Sequence, residues 1–195
     1  WEDHLQTLRE LLTRIRTAHL TVKLSKCVFG VQSVDFVGHH VGKAALTALP
    51  DKVEKIVKAV RPQTKTQVRA FLGVAGYYRR FVPTYAAISV PLTDATKKGA
   101  PIQVEWGEAQ QRAFEELKSC LSRAPILKLP DWREQFVVRT DASDTGLGAV
   151  LLQEHDGILC PIMYASRKLL PRERSYSTIE KECLGVVWAI HKFEV

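Results

Sequence analysis

The chain has 195 residues, 46% hydrophobic and 25% charged, with a formal net charge of +7. That is enough for one large or two small globular domains with a packed core, and no run of eighteen apolar residues offers a membrane span. Four scattered cysteines, Cys27, Cys120, Cys160 and Cys183, contain no CxxC pair, which excludes a zinc or disulfide framework and predicts reduced thiols in an intracellular protein.

Residues 3–18 place Leu5, Leu8, Leu11, Leu12 and Ile15 at helical spacing between charges, predicting an amphipathic helix. The charged opening predicts no signal peptide. A start at Trp1 and a stop at Val195 read as an excerpt of a longer protein. Residues 27–42, CVFGVQSVDFVGHHVG, predict two short strands in a hairpin. Pro50-Asp51 opens a short helix that stops at Arg61-Pro62. Thr64 caps the next predicted helix, which runs to Pro83 with Val68, Phe71, Leu72 and Ala75 on its buried face. A further helix over 84–97 is interrupted at Pro91. QVEW, residues 103–106, predicts a strand, and residues 108–124 a helix burying Ala113, Phe114, Leu117 and Leu121. APILKLPDW reads as an extended linker. Three strands follow, over 135–143, 146–154 and 158–167, with His155-Asp156-Gly157 as a hairpin turn. The last predicted helix covers 175–195, with Ser177 or Thr178 as its cap and Leu184, Val187, Trp188 and His191 on one face.

Charge is uneven along this order. Residues 51–82 carry 8 basic and 2 acidic side chains, a net +6, while the rest is nearly balanced. Such a segment is either a polyanion contact or a solvated helix face. A second feature is chemical. Asp141 ends a strand, and Glu182 or Glu180 opens the helix that follows the third strand. Mg²⁺ prefers hard oxygen ligands, so carboxylates converging on a strand end suit two-metal phosphoryl chemistry. Glu180 and Glu182 lie about 200° apart around a helix, and Glu182 is nearer the apolar stripe. Spacing alone also admits Asp141 as a turn acid and Glu182 as a helix-start acid.

FVVRTDASDTGLGAVLLQ followed by PIMYASRKLLPRERSYSTIEKECLGVVWAIHKF resembles the start of the ribonuclease H domain of Ty3/gypsy-type retrotransposon Pol polyproteins. HLQTLRELLTRIRTAHLTVKLSKCVFGVQSVDFVGHHV resembles the end of their reverse-transcriptase palm, and DFVGHHV its primer-grip hairpin. KVEKIVKAVRPQTKTQVRAFLGVAGYYRRFVPTYAAISVPLTDATKKGAPIQVEW is similar to the thumb and connection. The resemblance implies an α+β chain: a palm end at 1–49, a mostly helical thumb and connection at 50–135, and an incomplete β-β-β-α ribonuclease H-like unit at 136–195.

By the same resemblance Asp141 and Glu182 are catalytic Mg²⁺ ligands. Phe36, Gly38 and His39 lie in the loop that positions a primer end. Lys65, Arg69, Tyr77, Tyr78, Arg79 and Arg80 fall on the thumb side that meets nucleic acid, with a core role open for the two tyrosines. The implied partners are an RNA–DNA hybrid or primer–template duplex and the rest of the Pol polyprotein. No Tyr-x-Asp-Asp polymerase motif is present, and the family's site uses two more carboxylates than these. The chain alone is therefore expected to be inactive, the parent being an RNA-directed DNA polymerase and ribonuclease H. The competing reading is a domesticated or decayed non-enzymatic nucleic-acid-binding protein.

Overall fold

A computed structural model describes residues 1–42 and 44–194. The chain forms two compact units, Trp1–Gln32 and a second beginning at Ser33. The junctions at 49/50 and 135/136 both fall inside the second unit. In the first, α1 spans Glu2–Thr17, and Trp1 stacks on His4 at 5.5 Å. The strand pattern read from residue 27 does not begin until Ser33. A 3-10 turn at Leu24–Lys26 and the left-handed Gly30, at φ 65°, break the chain before it.

The second unit opens with a four-stranded antiparallel sheet: β1 (Ser33–Phe36), β2 (His39–Gly42), β3 (Ala45–Ala48) and β4 (Leu127–Lys128), in that order. Neither β3 nor β4 follows from the sequence pattern. ALTA carries small side chains with weak strand signal, and β4 lies within the stretch read as a linker. Next come α2 (Pro50–Val57) and α3 (Lys65–Tyr77). Thr64 and Gln67 form a full capping box on α3. The helix stops at Tyr77, short of Pro83, and a 3-10 turn at Arg79–Phe81 takes over.

The helix interrupted by Pro91 becomes α4 (Tyr85–Ile88) and α5 (Val90–Asp94). QVEW forms no strand; Gln103 makes a single bridge to Thr64. α6 (Glu108–Ser122) buries Ala113, Phe114, Leu117 and Leu121 as its periodicity requires. These side chains meet Ile56, Val68, Phe71 and Ala75 in one core. Phe71 and Phe114 meet with tilted rings, their centroids 4.6 Å apart.

A second sheet is the antiparallel meander β5 (Phe136–Ala142), β6 (Gly146–His155) and β7 (Ile158–Lys168). Asp156 and Gly157 both have positive φ, as the tight turn requires. α7 (Thr178–Phe193) follows; Val195, the end of the predicted helix, lies outside the described residues. Its buried positions are Lys181, Gly185 and Ala189; of the expected stripe Leu184 and Trp188 are half-buried, while Val187 is 53% exposed and His191 is also exposed. Small residues face the sheet because the helix sits close. A Cβ on Gly185 would already touch Leu147 and Thr140 at 3.9 Å.

The meander is tied to the helical core through its other face. Tyr164 of β7 packs on the core, and the backbone N–H of Ala86 donates to Ser166 Oγ at 2.9 Å. The fully buried Leu117 stands at the centre of this arrangement. Leu117→Ala is expected to lower unfolding stability by about 2–5 kcal/mol, measured by chemical denaturation of the whole chain.

Candidate nucleic-acid groove and carboxylate site

A groove of about 1070 Å³ lies between the β1–β2 turn, α2 and α3. Ile56, Phe71 and Val74 give it an apolar floor, and Val37, Gly38 and Tyr77 close one end. Lys52, Lys55 and Arg61, all exposed, supply positive charge along the α2 side. Ala70, Gly73 and Val74 present short side chains on the α3 side, and nothing lies within 4 Å of where a Cβ on Gly73 would be.

The residues expected to touch nucleic acid are distributed unequally around this groove. Phe36 is 65% exposed beside the turn, and Gly38 and the exposed Tyr77 line the groove itself. Arg79 and Arg80 are exposed on the 3-10 turn. Three other expected contacts have partners within the protein. Tyr78 is 2% exposed, and its hydroxyl donates to the Gly38 carbonyl at 2.9 Å, so it supports the turn from within the core. Burial pushes its phenol pKa up, the Tyr77 phenol adding to that shift, and the phenol stays a neutral donor. Lys65 Nζ donates to the carbonyls of Lys97 and Ala100 at 2.8 and 2.9 Å. Arg69 Nη2 donates to the Thr96 carbonyl at 2.9 Å. Both cations are therefore engaged in holding the segment after α5. Sequence reasoning missed Lys52, Lys55 and Arg61, although the basic stretch containing them stood out; only the packing of α2 on α6 decides which side faces the groove.

Asp141 stands near the end of β5, and α7, which carries Glu182, packs on that strand. Asp141 pairs in register with Gly148, where a Cβ would meet Thr84 Cγ2 at 3.5 Å. Strand alternation therefore directs Asp141 to the face that meets the helical core. There it lines a hollow of about 170 Å³ with Pro83, Thr84, Arg139 and Tyr164. Thr84 itself has φ 51°, a strained backbone for a β-branched residue. α7 covers the opposite face: Gly185 abuts Thr140, the residue before Asp141, and half-buried Glu182 lies one turn earlier. Glu180 is committed elsewhere. Its carboxylate accepts the Ser177 N–H at 2.8 Å in a capping box, which holds its pKa below the usual range.

The second acid of this strand end, Asp144, also has a partner. It accepts from Lys181 Nζ at 2.8 Å, and Lys181 is 7% exposed under α7. That hydrogen bond, with the lysine's charge, holds the Asp144 carboxyl below the ordinary range. Among the described residues no group of three or more His, Cys, Asp or Glu is placed to hold a metal ion. Asp141 and Glu182 are hard-oxygen donors of the type Mg²⁺ takes, but two donors alone do not make a two-metal centre.

Comparison with known proteins agrees with this architecture. Residues 106–195 match the RNase H-like domain found in reverse transcriptase. The chain is 42% identical over 191 residues to a retrovirus-related Pol polyprotein from transposon 297 of Drosophila melanogaster, covering 98% of this chain and 18% of that protein. It is 31% identical over 186 residues to the transposon Tf2-3 polyprotein of Schizosaccharomyces pombe, covering 95% of this chain and 14% of that one. A solved foamy viral protease-reverse transcriptase in complex with double-stranded DNA superposes with a TM-score of 0.77 at 25% identity, over 98% of this chain and 33% of that one. A complex of a foamy viral protease-reverse transcriptase with an RNA/DNA hybrid gives 0.76 at 25% identity, over 98% and 26%. The fold is thus that of part of a reverse transcriptase with an RNase H-like region. The chain is similar to one stretch of retrotransposon Pol polyproteins, and it spans less than a fifth of the length of these curated relatives.

The Lys181–Asp144 pair yields a stability prediction. A carboxyl with a lowered pKa stabilises the fold above the ordinary carboxylate range, near pH 4, and loses that contribution as pH falls through the lowered value. Asp144→Asn is therefore expected to melt at a lower temperature than the parent chain at pH 7. The gap should close as pH drops below about 4, followed by thermal denaturation across pH.

Proposed function

We propose that this chain is the segment of a retroelement RNA-directed DNA polymerase/ribonuclease H that grips a primer–template or RNA–DNA duplex. The observation that carries the reading is the groove between the hairpin turn, α2 and α3, with short side chains on one wall and Lys52, Lys55 and Arg61 on the other. Short side chains allow a nucleic-acid backbone to approach α3 closely, and lysine and arginine neutralise phosphates while releasing counterions. Val37 and Gly38, flanked by Phe36 and His39, form the turn at the end of the groove, where a duplex end would rest. Duplex binding by the foamy viral relatives supports the same reading.

Asp141 and Glu182 contribute two carboxylates to an Mg²⁺-dependent site that cleaves the RNA strand of a hybrid. Further ligands come from elsewhere in the polyprotein. When bound, the metal would supply charge stabilisation at the scissile phosphate. Taken alone, 1–195 binds duplex without cutting it, in an intracellular setting. A non-enzymatic nucleic-acid-binding role is the second reading, favoured by one contrast: the groove has both walls, whereas the carboxylate set has two members.

Binding of a labelled RNA–DNA hybrid should weaken steeply between 50 and 200 mM salt, typical of phosphate contacts. Substituting Lys52, Lys55 and Arg61 together by alanine should reduce the log–log salt slope by about 0.9 for each phosphate no longer neutralised. An unchanged slope would remove the groove from consideration. In Mg²⁺ the chain should leave the hybrid intact; cleavage abolished by Asp141→Asn would show instead that its own carboxylates suffice.

A further inference from the structure

The turn between β1 and β2 is not self-sufficient. Val37 and Gly38 both adopt positive φ, 42° and 78°. Gly38 accepts such a conformation freely, but Val37 is β-branched and is strained by it. A strained turn persists only where its surroundings hold it. Here the surroundings are one end of α3. The Tyr77 hydroxyl donates to the Val37 carbonyl, and the Tyr78 hydroxyl to the Gly38 carbonyl at 2.9 Å. Leu49 N–H adds a second donor to Gly38 at 3.2 Å. Two adjacent residues at the end of α3 thus hold two adjacent turn carbonyls 40 residues away.

His39 completes the arrangement. Its ring stacks on Phe81 at 5.7 Å with an interplanar angle of 21°, and lies 5.2 and 5.6 Å from the rings of Tyr77 and Tyr78. Nδ1 is 3.0 Å from the Val37 carbonyl, which assigns the proton to Nδ1. Nε2 is buried with no hydrogen-bond partner among the described residues. The fit is close: a Cβ on Gly38 would come within 3.1 Å of Tyr77 Cε1 and 3.2 Å of the Tyr78 hydroxyl.

We infer that Tyr77, Tyr78 and His39 form a latch that fixes the turn against α3, so that the helix lining the groove also sets where a duplex end can stop. This rests on the duplex-gripping role proposed above and assigns Tyr78 and His39 as positioning residues, not contacts. α3 and the turn move as one piece. The distance between the groove wall and its closed end is then constant, and the latch measures the end of a duplex against its body.

The test compares two fluorescent probes by anisotropy: a duplex with a recessed 3′ end, and a dumbbell duplex of equal length whose ends are closed by loops. The full chain should prefer the recessed end. Tyr78→Phe keeps the ring and removes one hydroxyl donor. It should weaken recessed-end binding about 3–10-fold, the range of one hydrogen bond, and leave dumbbell binding unchanged. Tyr77→Phe, at an exposed position that also lines the groove, should weaken recessed-end binding more than dumbbell binding. Circular dichroism melting should remain cooperative in both variants. Equal losses on the two probes, no loss on either, or no end preference in the parent chain would each overturn the latch while duplex binding stands. A parent chain that bound neither probe would overturn the groove reading and the latch with it.

Discussion

The shared core in which Phe71 and Phe114 meet with tilted rings sets the orientation on which the second unit depends. Burying Val68, Phe71 and Ala75 there decides which way the remaining faces of α3 look. One edge, Ala70, Gly73 and Val74, is left open toward α2 and becomes a groove wall. The C-terminal end, Tyr77 and Tyr78, is carried to the β1–β2 turn. The N-terminal turn, through Lys65 and Arg69, ties down the chain after α5. One apolar core therefore fixes a groove wall, a turn support and a loop anchor at once.

How much of this can be read from the residues depends on what each signal encodes. α6 is legible because its apolar residues recur at 3.6-residue spacing, and β5–β7 because β-branched runs are separated by strong turn residues. β3 is not, since Ala45, Thr47 and Ala48 are weak strand formers paired into place by β2 and β4. QVEW has the composition of a strand but finds only one bridge partner. The α7 face departs from its pattern for a related reason. Hydrophobicity points to Val187, whereas close helix–sheet packing selects Gly185 and Ala189.

The candidate site divides along the same line. Residue type singles out Asp141, Glu182 and the basic stretch, because carboxylates and cations carry chemistry wherever they stand. Partners do not follow from type. Lys65 and Arg69 look like the other cations of 51–82, yet they are engaged by backbone carbonyls 27 to 35 residues away. Tyr77 and Tyr78 are adjacent and chemically identical, and both border the groove, yet one is exposed and the other is buried in the core. Asp144 is a second acid without a role until Lys181 arrives beneath it from α7.

The hollow beside Asp141 has a consequence for where this chain could be divided. The family match begins at residue 106, but Pro83 and Thr84 form a wall of that hollow, Ser166 accepts from the Ala86 N–H, and Tyr164 packs on the helical core. A piece cut at residue 106 would leave that face of the meander without its cover, so the structural unit is larger than the unit recognised by sequence.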